Sequence, residues 1–234
     1  GKTLLTLHQY TSLGHPSGED VLIIRHDIDH DIENAVKIAR WEAGNGIRAT
    51  YCVLHSAWYF GEFLGEAYSH SSLLTDSMQE IQELGHEINL HNNLVTLSLQ
   101  TGACASSVLT NELDFLRQNG IKVTGTSTHG DKLCKELVYR NFELFTESIG
   151  TRFGGPREIY YEATGRSVDL GSLRYQDFGL TYEAYDIQRD RYVTDSGGTL
   201  REHTSAQGRR DFGRSSNSGT LTALLTHPIW WGGF

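Results

Sequence analysis

Apolar and polar positions along the chain follow two periods, and the switches between them mark out the elements. Val21-Leu22-Ile23-Ile24 is a short apolar run with three β-branched residues, so it predicts a buried strand over 21–25. Ile32, Ala35, Val36, Ala39 and Ala43 recur at helical spacing and predict a helix over 32–44, closed by Gly44 and Gly46. A second strand is expected over 48–54, ending at His55. Asp76, Met78, Ile81 and Leu84, with Gly85 after them, predict a capped amphipathic helix over 74–84. Residues 86–91 alternate with period two, which puts His86, Ile88 and Leu90 on one face and Glu87, Asn89 and His91 on the other. Val108, Leu109, Leu113 and Leu116 give a helical face over 104–119, and a fourth strand is expected over 121–126, with His129 and Asp131 just beyond it. Strand and helix alternating in this way is the pattern of parallel α/β folds.

The ends of the chain are less regular. Residues 3–10 read as an edge strand or arm, and 11–20, with Gly14, Pro16 and Gly18, as a loop. From 132 to 179 no clean period survives, and an irregular excursion is expected there. Short strands are expected over 180–185 and 191–194, a turn over 195–198, a polar excursion over 201–219 and a last strand over 222–226. Repeats of fixed period are absent from the sequence.

Chemistry gathers where the predicted strands stop. His26, Asp27, Asp29, His30 and Asp31 lie within six residues. Charge packed at the end of a buried strand is costly unless it is paired or holds a metal. In an extended segment Asp27 and Asp29 share a face, and two close carboxylates suit a cation or acid–base work. The competing structural reading is a helix start, with Asp29 or Asp31 as the cap. Asp27/Asp29, His55, His91, His129 and His227 all follow strand-like segments. Parallel strands would bring those ends to one rim. One carboxylate and two imidazoles leave a position open for water on a catalytic metal; a spare carboxylate then serves as base and a spare histidine as acid.

Composition narrows the class. In 234 residues, 38% are hydrophobic and 21% charged, enough for a sizeable core. A net charge of −9 with no basic patch argues against a nucleic-acid binder. Cys52, Cys104 and Cys134 are widely spaced and in no CxxC pattern, so neither a disulfide framework nor a zinc ribbon is expected. With no signal peptide and no apolar run of 18 residues recognised, the expectation is a cytoplasmic protein without membrane insertion.

Three stretches carry a resemblance: His26-Asp27-Ile28-Asp29, Gly85-His86-Glu87-Ile88-Asn89-Leu90-His91 and Leu224-Leu225-Thr226-His227-Pro228. In kind and order they resemble the polysaccharide deacetylase family, also called the NodB-homology domain. The resemblance implies an α/β fold, a distorted and incomplete (β/α) barrel, with residues 1–234 forming one catalytic domain. It implies a metal-dependent hydrolase that removes an acetyl or formyl group from an amino sugar or sugar polymer, in the setting of surface-polysaccharide biosynthesis. The cofactor expected is one divalent ion, zinc with cobalt or manganese as alternatives.

Carried over, Asp27 resembles the catalytic base, Asp29 the metal carboxylate, His91 the first metal imidazole, and His227 the general acid beside Leu225 and Trp230. The family places a second metal histidine four residues after the first, where this chain has Val95. His129 is the expected replacement, with His30 and His55 as alternatives and Asn92 and Asn93 as weak substitutes. Asp195 is expected to orient His227. The arginine that orients the base is left open among Arg25, Arg152 and Arg157. Two other classes stay in view: a non-catalytic carbohydrate-binding or scaffold protein, suggested by Val95, and a metal-dependent phosphoesterase, suggested faintly by Arg209 and Arg210. Trp58, Tyr59, Trp230 and Trp231 suit either a sugar-binding rim or a core.

Overall fold

The computed structural model describes residues 1–14, 16, 18–149, 157–204 and 219–232. The fold is mixed α/β. In chain order it runs β1 (Thr3–Leu5), α1 (Leu7–Leu13), β2 (Val21–Ile28), α2 (Ile32–Gly44), β3 (Thr50–Leu54), β4 (Gly61–Phe63), β5 (Tyr68–His70), α3 (Ser72–Glu83), β6 (Glu87–Asn92), α4 (Leu94–Thr101), α5 (Ala105–Gln118) and β7 (Val123–Thr128). There follow α6 (Lys132–Glu136), α7 (Thr146–Ile149), β8 (Glu158–Tyr161), β9 (Arg166–Asp169), β10 (Tyr182–Glu183), β11 (Arg191–Thr194), β12 (Arg201–Thr204) and β13 (Leu221–Thr226), with three short 3₁₀ turns among them. The chain divides into two compact units, Gly1–Cys52 with Ser77–Ile88 and Ile187–Phe234, and Val53–Asp76 with Asn89–Asp186.

In the first unit β2 is the central strand. It pairs in parallel with β1 and with β13, and β13 pairs in parallel with β11. β12 runs antiparallel along β11. The register sets Thr226 against His26 and Leu225 against Thr194. Asp27, His227 and Asp195 therefore leave the same end of three neighbouring strands. Strand β2 reaches Ile28, three residues beyond the expected end, so Asp27 lies inside it and Asp29 just outside.

Helix α2 spans the expected 32–44, and Asp31 caps it by accepting from the Asn34 amide at 2.9 Å. At the amino end, residues 7–13 form a helix rather than an extended arm. Thr6 and Gln9 close a capping box there, a local signal that overrides the weak alternation.

Alternation along β2 turns His26 away from Asp27, toward α2. Its Nδ1 meets Thr226 Oγ1 at 2.6 Å, tying β2 to β13, and its Nε2 meets Glu42 at 3.0 Å. Glu42 also accepts from the Tyr51 hydroxyl at 2.7 Å. Burial by itself would raise the Glu42 pKa, but the bonds from His26 and Tyr51 outweigh it and the carboxyl lies below its ordinary value. His86 sits alongside as the neutral tautomer, with Nδ1 accepting from the Ala49 amide at 3.1 Å and Nε2 donating to the Ala39 carbonyl at 3.0 Å. Its pKa is depressed, chiefly by burial.

In the second unit β7 pairs in parallel with β10 and neighbours β6, while β4–β5 and β8–β9 are separate antiparallel hairpins. Helix α4 falls where no element was expected. Its sequence, Leu94-Val95-Thr96-Leu97-Ser98-Leu99, has no polar stripe because Leu94 through Leu99 are all buried. The stretch 132–179 holds short helical turns and the β8–β9 hairpin, with 150–156 outside the described residues. Trp58 is exposed while Tyr59 and Phe60 are fully buried, so that aromatic run is divided between surface and core.

The buried network in the first unit makes acid stability testable. Both Glu42 and His86 have depressed folded pKa values, so the unfolded chain takes up their protons first. The His86 contribution is whole above about pH 6.5 and drains away as pH falls below it; the Glu42 contribution is lost at lower pH, below the ordinary carboxylate range. Urea midpoints should fall steadily from pH 7 to pH 4. His86→Gln, which keeps one acceptor and one donor, should flatten the part just below pH 6.5; an unaltered slope there would remove His86 from the account.

Candidate functional site

Asp195 is the fixed point of the site in the first unit. Nearly all of it is buried, and it accepts three hydrogen bonds: from His227 Nδ1 at 2.6 Å, from the His227 amide at 2.9 Å and from Trp231 Nε1 at 2.6 Å. Burial would raise the Asp195 pKa, but these bonds hold it below its ordinary value. With Nδ1 committed, His227 presents Nε2, which lies 3.9 Å from Asp29 Oδ2. Burial lowers the His227 pKa, but the Asp195 hydrogen bond and the charges of Asp27, Asp29 and Asp195 raise it further than burial lowers it. The turn after His227 is pinned by Asn34 of α2, whose amide donates to the carbonyls of Pro228 and Trp231 at 2.5 and 3.1 Å.

Arg25 and Asp27 are two apart on β2 and share a face. Arg25 Nη2 donates to Asp27 Oδ2 at 3.1 Å, and Nε lies 3.0 Å from Oδ1, with both residues buried. Of the arginines left open, Arg25 therefore pairs with Asp27. Arg157 bonds to the Val138 carbonyl and to Glu143, and Arg152 lies outside the described residues, as do Arg209 and Arg210.

The second unit brings His91 and His129 together. His91, on β6, points Nδ1 at the Ser127 carbonyl 2.9 Å away, which leaves Nε2 as the electron-pair donor. That atom lies 3.3 Å from His129 Nδ1, with the two rings edge to face. His129 is held by its backbone: its amide donates to Asn92 at 2.8 Å, and its carbonyl accepts from Asn141 at 2.9 Å.

His55, Asn92 and Asn93 are occupied otherwise. His55 is fully buried, with Nε2 accepting from the Asn93 amide at 2.9 Å and Nδ1 at 3.1 Å from the Tyr68 hydroxyl. Burial first, then the neighbouring His91 and His129, push its pKa down to about 3. The Asn92 side chain bonds the Leu94 amide and the Asn141 carbonyl; that of Asn93 bonds Ser56 and Asn141. These asparagines close the start of α4, and Asn141 joins them by accepting from the Val95 and Thr96 amides at 2.9 and 3.3 Å. Val95 itself is core. No local pattern marks Asn141, which lies 46 residues from the Val95 amide it caps.

A carboxylate at Asp29 and imidazoles at His91 and His129 are the ligand types a divalent ion takes. All three cysteines are free thiols. No helix of the described residues is long and apolar enough to cross a membrane. Comparison with protein-family models, with curated proteins and with solved structures gave no match to this chain.

Asp195 should set the titration of His227. A raised histidine pKa stabilises the fold fully below about pH 6.5, and that contribution disappears as pH rises through the folded value. In metal-free protein, Asp195→Asn should move the His227 midpoint down, read by NMR of the imidazole, and should shrink the loss of stability on the alkaline side. An unmoved midpoint would mean that Asp195 does not act on the ring.

Proposed function

We propose that this chain is a metal-dependent hydrolase that removes an acetyl or formyl group from an amino sugar, in the manner of the polysaccharide deacetylases that its motifs resemble. The observation that carries the reading is the strand register of the first unit, with Asp27, His227 and Asp195 at one end of three adjacent parallel strands. A distorted, incomplete (β/α) barrel is the architecture that belongs with it.

In this reading the ligands expected from the sequence, Asp29, His91 and His129, would hold the divalent ion. The donor set fits a divalent cation such as zinc, because the Ser127 carbonyl fixes the His91 tautomer in which Nε2 carries the lone pair. When bound, such an ion supplies Lewis acidity toward a carbonyl and lowers the pKa of water. The remaining work falls to the chain's own residues. Asp27, oriented by Arg25, accepts the proton of the attacking water. His227, its Nδ1 held by Asp195 and its pKa raised, gives a proton from Nε2 to the departing nitrogen, without which an amine leaves poorly. Asp195 is a positioning residue in this scheme.

Two expected outcomes test this. Release of acetate or formate from a panel of N-acylated amino sugars, with zinc, cobalt or manganese added, should fall by about 10²–10⁴ in Asp27→Asn and in His227→Ala, while metal content stays near wild type. His91→Ala and His129→Ala should each lose metal by elemental analysis; full occupancy in His129→Ala would displace it as a ligand. If wild type and Asp27→Asn are equally silent while the protein still binds sugar, a carbohydrate-binding role replaces catalysis.

A further inference from the structure

His129 stands one residue beyond the end of β7 and is followed by Gly130, the residue type with the freest backbone. Local chain stiffness therefore does not place its ring, yet the ring has a defined neighbour. His129 Nδ1 lies 3.3 Å from His91 Nε2. Two nitrogens held about 2.0–2.1 Å from one tetrahedral ion are about 3.3–3.4 Å apart, so the spacing suits a pair of ligands as it stands.

Three buried asparagines of the second unit account for that placement. The Asn92 carbonyl accepts from the His129 amide at 2.8 Å, and the Asn141 side chain donates to the His129 carbonyl at 2.9 Å. With both backbone groups of one residue held, the direction of its Cβ is set and only the side-chain torsions remain. Asn141 is itself fixed. Its Oδ1 accepts from the Val95 and Thr96 amides at 2.9 and 3.3 Å, and its Nδ2 also donates to Asn93 Oδ1 at 3.0 Å. The Cys134 sulfur, at 3.4 Å, is a weaker acceptor beside these. A side-chain amide has two donors and two acceptor sites, and here all four are used. Turned over, it would set N–H against N–H and oxygen against oxygen, so its neighbours allow one orientation. Asn92 Nδ2 closes the lattice by donating to the Asn141 carbonyl at 3.2 Å, and Asn93 Nδ2 meets Ser56 Oγ at 3.1 Å. A buried network satisfied to this degree is rigid, because moving one member leaves another unpaired.

We infer that Asn141 is a positioning residue, whose amide orients His129 toward His91 so that the two imidazoles stand ready as a pair for one divalent ion. The assignment rests on the reading of His91 and His129 as ligands given above. Asn141 acts through the His129 backbone and not on the ion. Its contribution is pre-organisation: the ring does not have to be ordered when metal arrives.

The same chemical change at two neighbouring asparagines tests this. Asn141→Asp keeps an oxygen for the Val95 and Thr96 amides but turns its other oxygen on the His129 carbonyl, acceptor against acceptor. Asn93→Asp keeps the oxygen that Asn141 uses, and the Ser56 hydroxyl can donate to the new one. Each variant adds one negative charge, which by itself favours a cation, so a loss of affinity does not come from the charge. The full chain, freed of metal, is titrated with cobalt(II) and followed by the visible absorption of the bound ion. The metal-free proteins are compared by NMR for the NOE between the rings of His91 and His129, whose centroids are 5.1 Å apart.

Wild type and Asn93→Asp should bind cobalt alike and show the NOE. Asn141→Asp should bind about tenfold more weakly or worse, with an altered cobalt spectrum, and should lose the NOE. If Asn141→Asp does not fold, Asn141→Ala, which removes the donor without burying a charge, is read in the same way. An NOE kept in the Asn141 variant, wild-type cobalt affinity in that variant, or equal damage in Asn93→Asp would each overturn the proposal. His129→Ala checks the ligand reading separately: cobalt binding unchanged there would overturn that reading, and the NOE alone would then decide what places the ring.

Discussion

Charge carried to the ends of buried strands must be met by a partner, and most of the polar architecture of this protein answers that demand. Asp195 is the clearest case. A carboxylate with about 1% of its surface exposed would be driven to its neutral form unless donors surrounded it. Three donors do so, and two of them, the His227 amide and imidazole, belong to the residue whose chemistry is at stake. The same contacts thus stabilise the strand ends and fix which nitrogen His227 presents. Arg25 and Asp27 repeat the solution on β2 with a buried ion pair. Such pairs are weak sources of net stability, but removing one member leaves an uncompensated charge. That asymmetry holds the geometry in place.

Behind this polar end lies a second network facing the opposite way along β2. His26, Glu42, Tyr51 and Thr226 join β2, α2, β3 and β13 through side chains alone. Because β2 alternates, one residue sends its side chain toward α2 and the next to the opposite face, where Asp27 meets Arg25. A slip of one residue between β2 and β13 would exchange the two sets and bury unpartnered charge on both sides. The register that places Asp27 level with His227 is therefore supported from behind as well as from the front.

Around the strand-end histidines of the second unit, backbone groups do the organising. The Ser127 carbonyl selects the tautomer of His91, and the Asn93 amide selects that of His55. His55 and His91 are equally buried strand-end histidines. One has both ring nitrogens consumed by the fold, and the other leaves Nε2 facing a second imidazole at 3.3 Å. Residue type and position do not separate them; only the partners do.

What the sequence determined by itself was the periodic part. The run over β2, the helix over 32–44, the strand over 191–194 and the parallel rhythm were legible because half-buried elements print their burial onto residue spacing. A helix cap at Asp29 or Asp31 was legible too, since a cap's partner is three residues away; the structure selects Asp31. Helix α4 was not, because a helix buried on every side loses its amphipathic stripe. The short helix at 7–13 was hidden by its weak pattern. Above all, tertiary structure decided which polar residues act as structure. Arg25 rather than Arg157 as the partner of Asp27 within its unit, Asn141 as the cap of α4, and His55 as a spent histidine all depend on side chains meeting across long stretches of chain. Spacing reports which way a residue faces along its own element. What it faces is set by register and packing, which are properties of the folded chain as a whole.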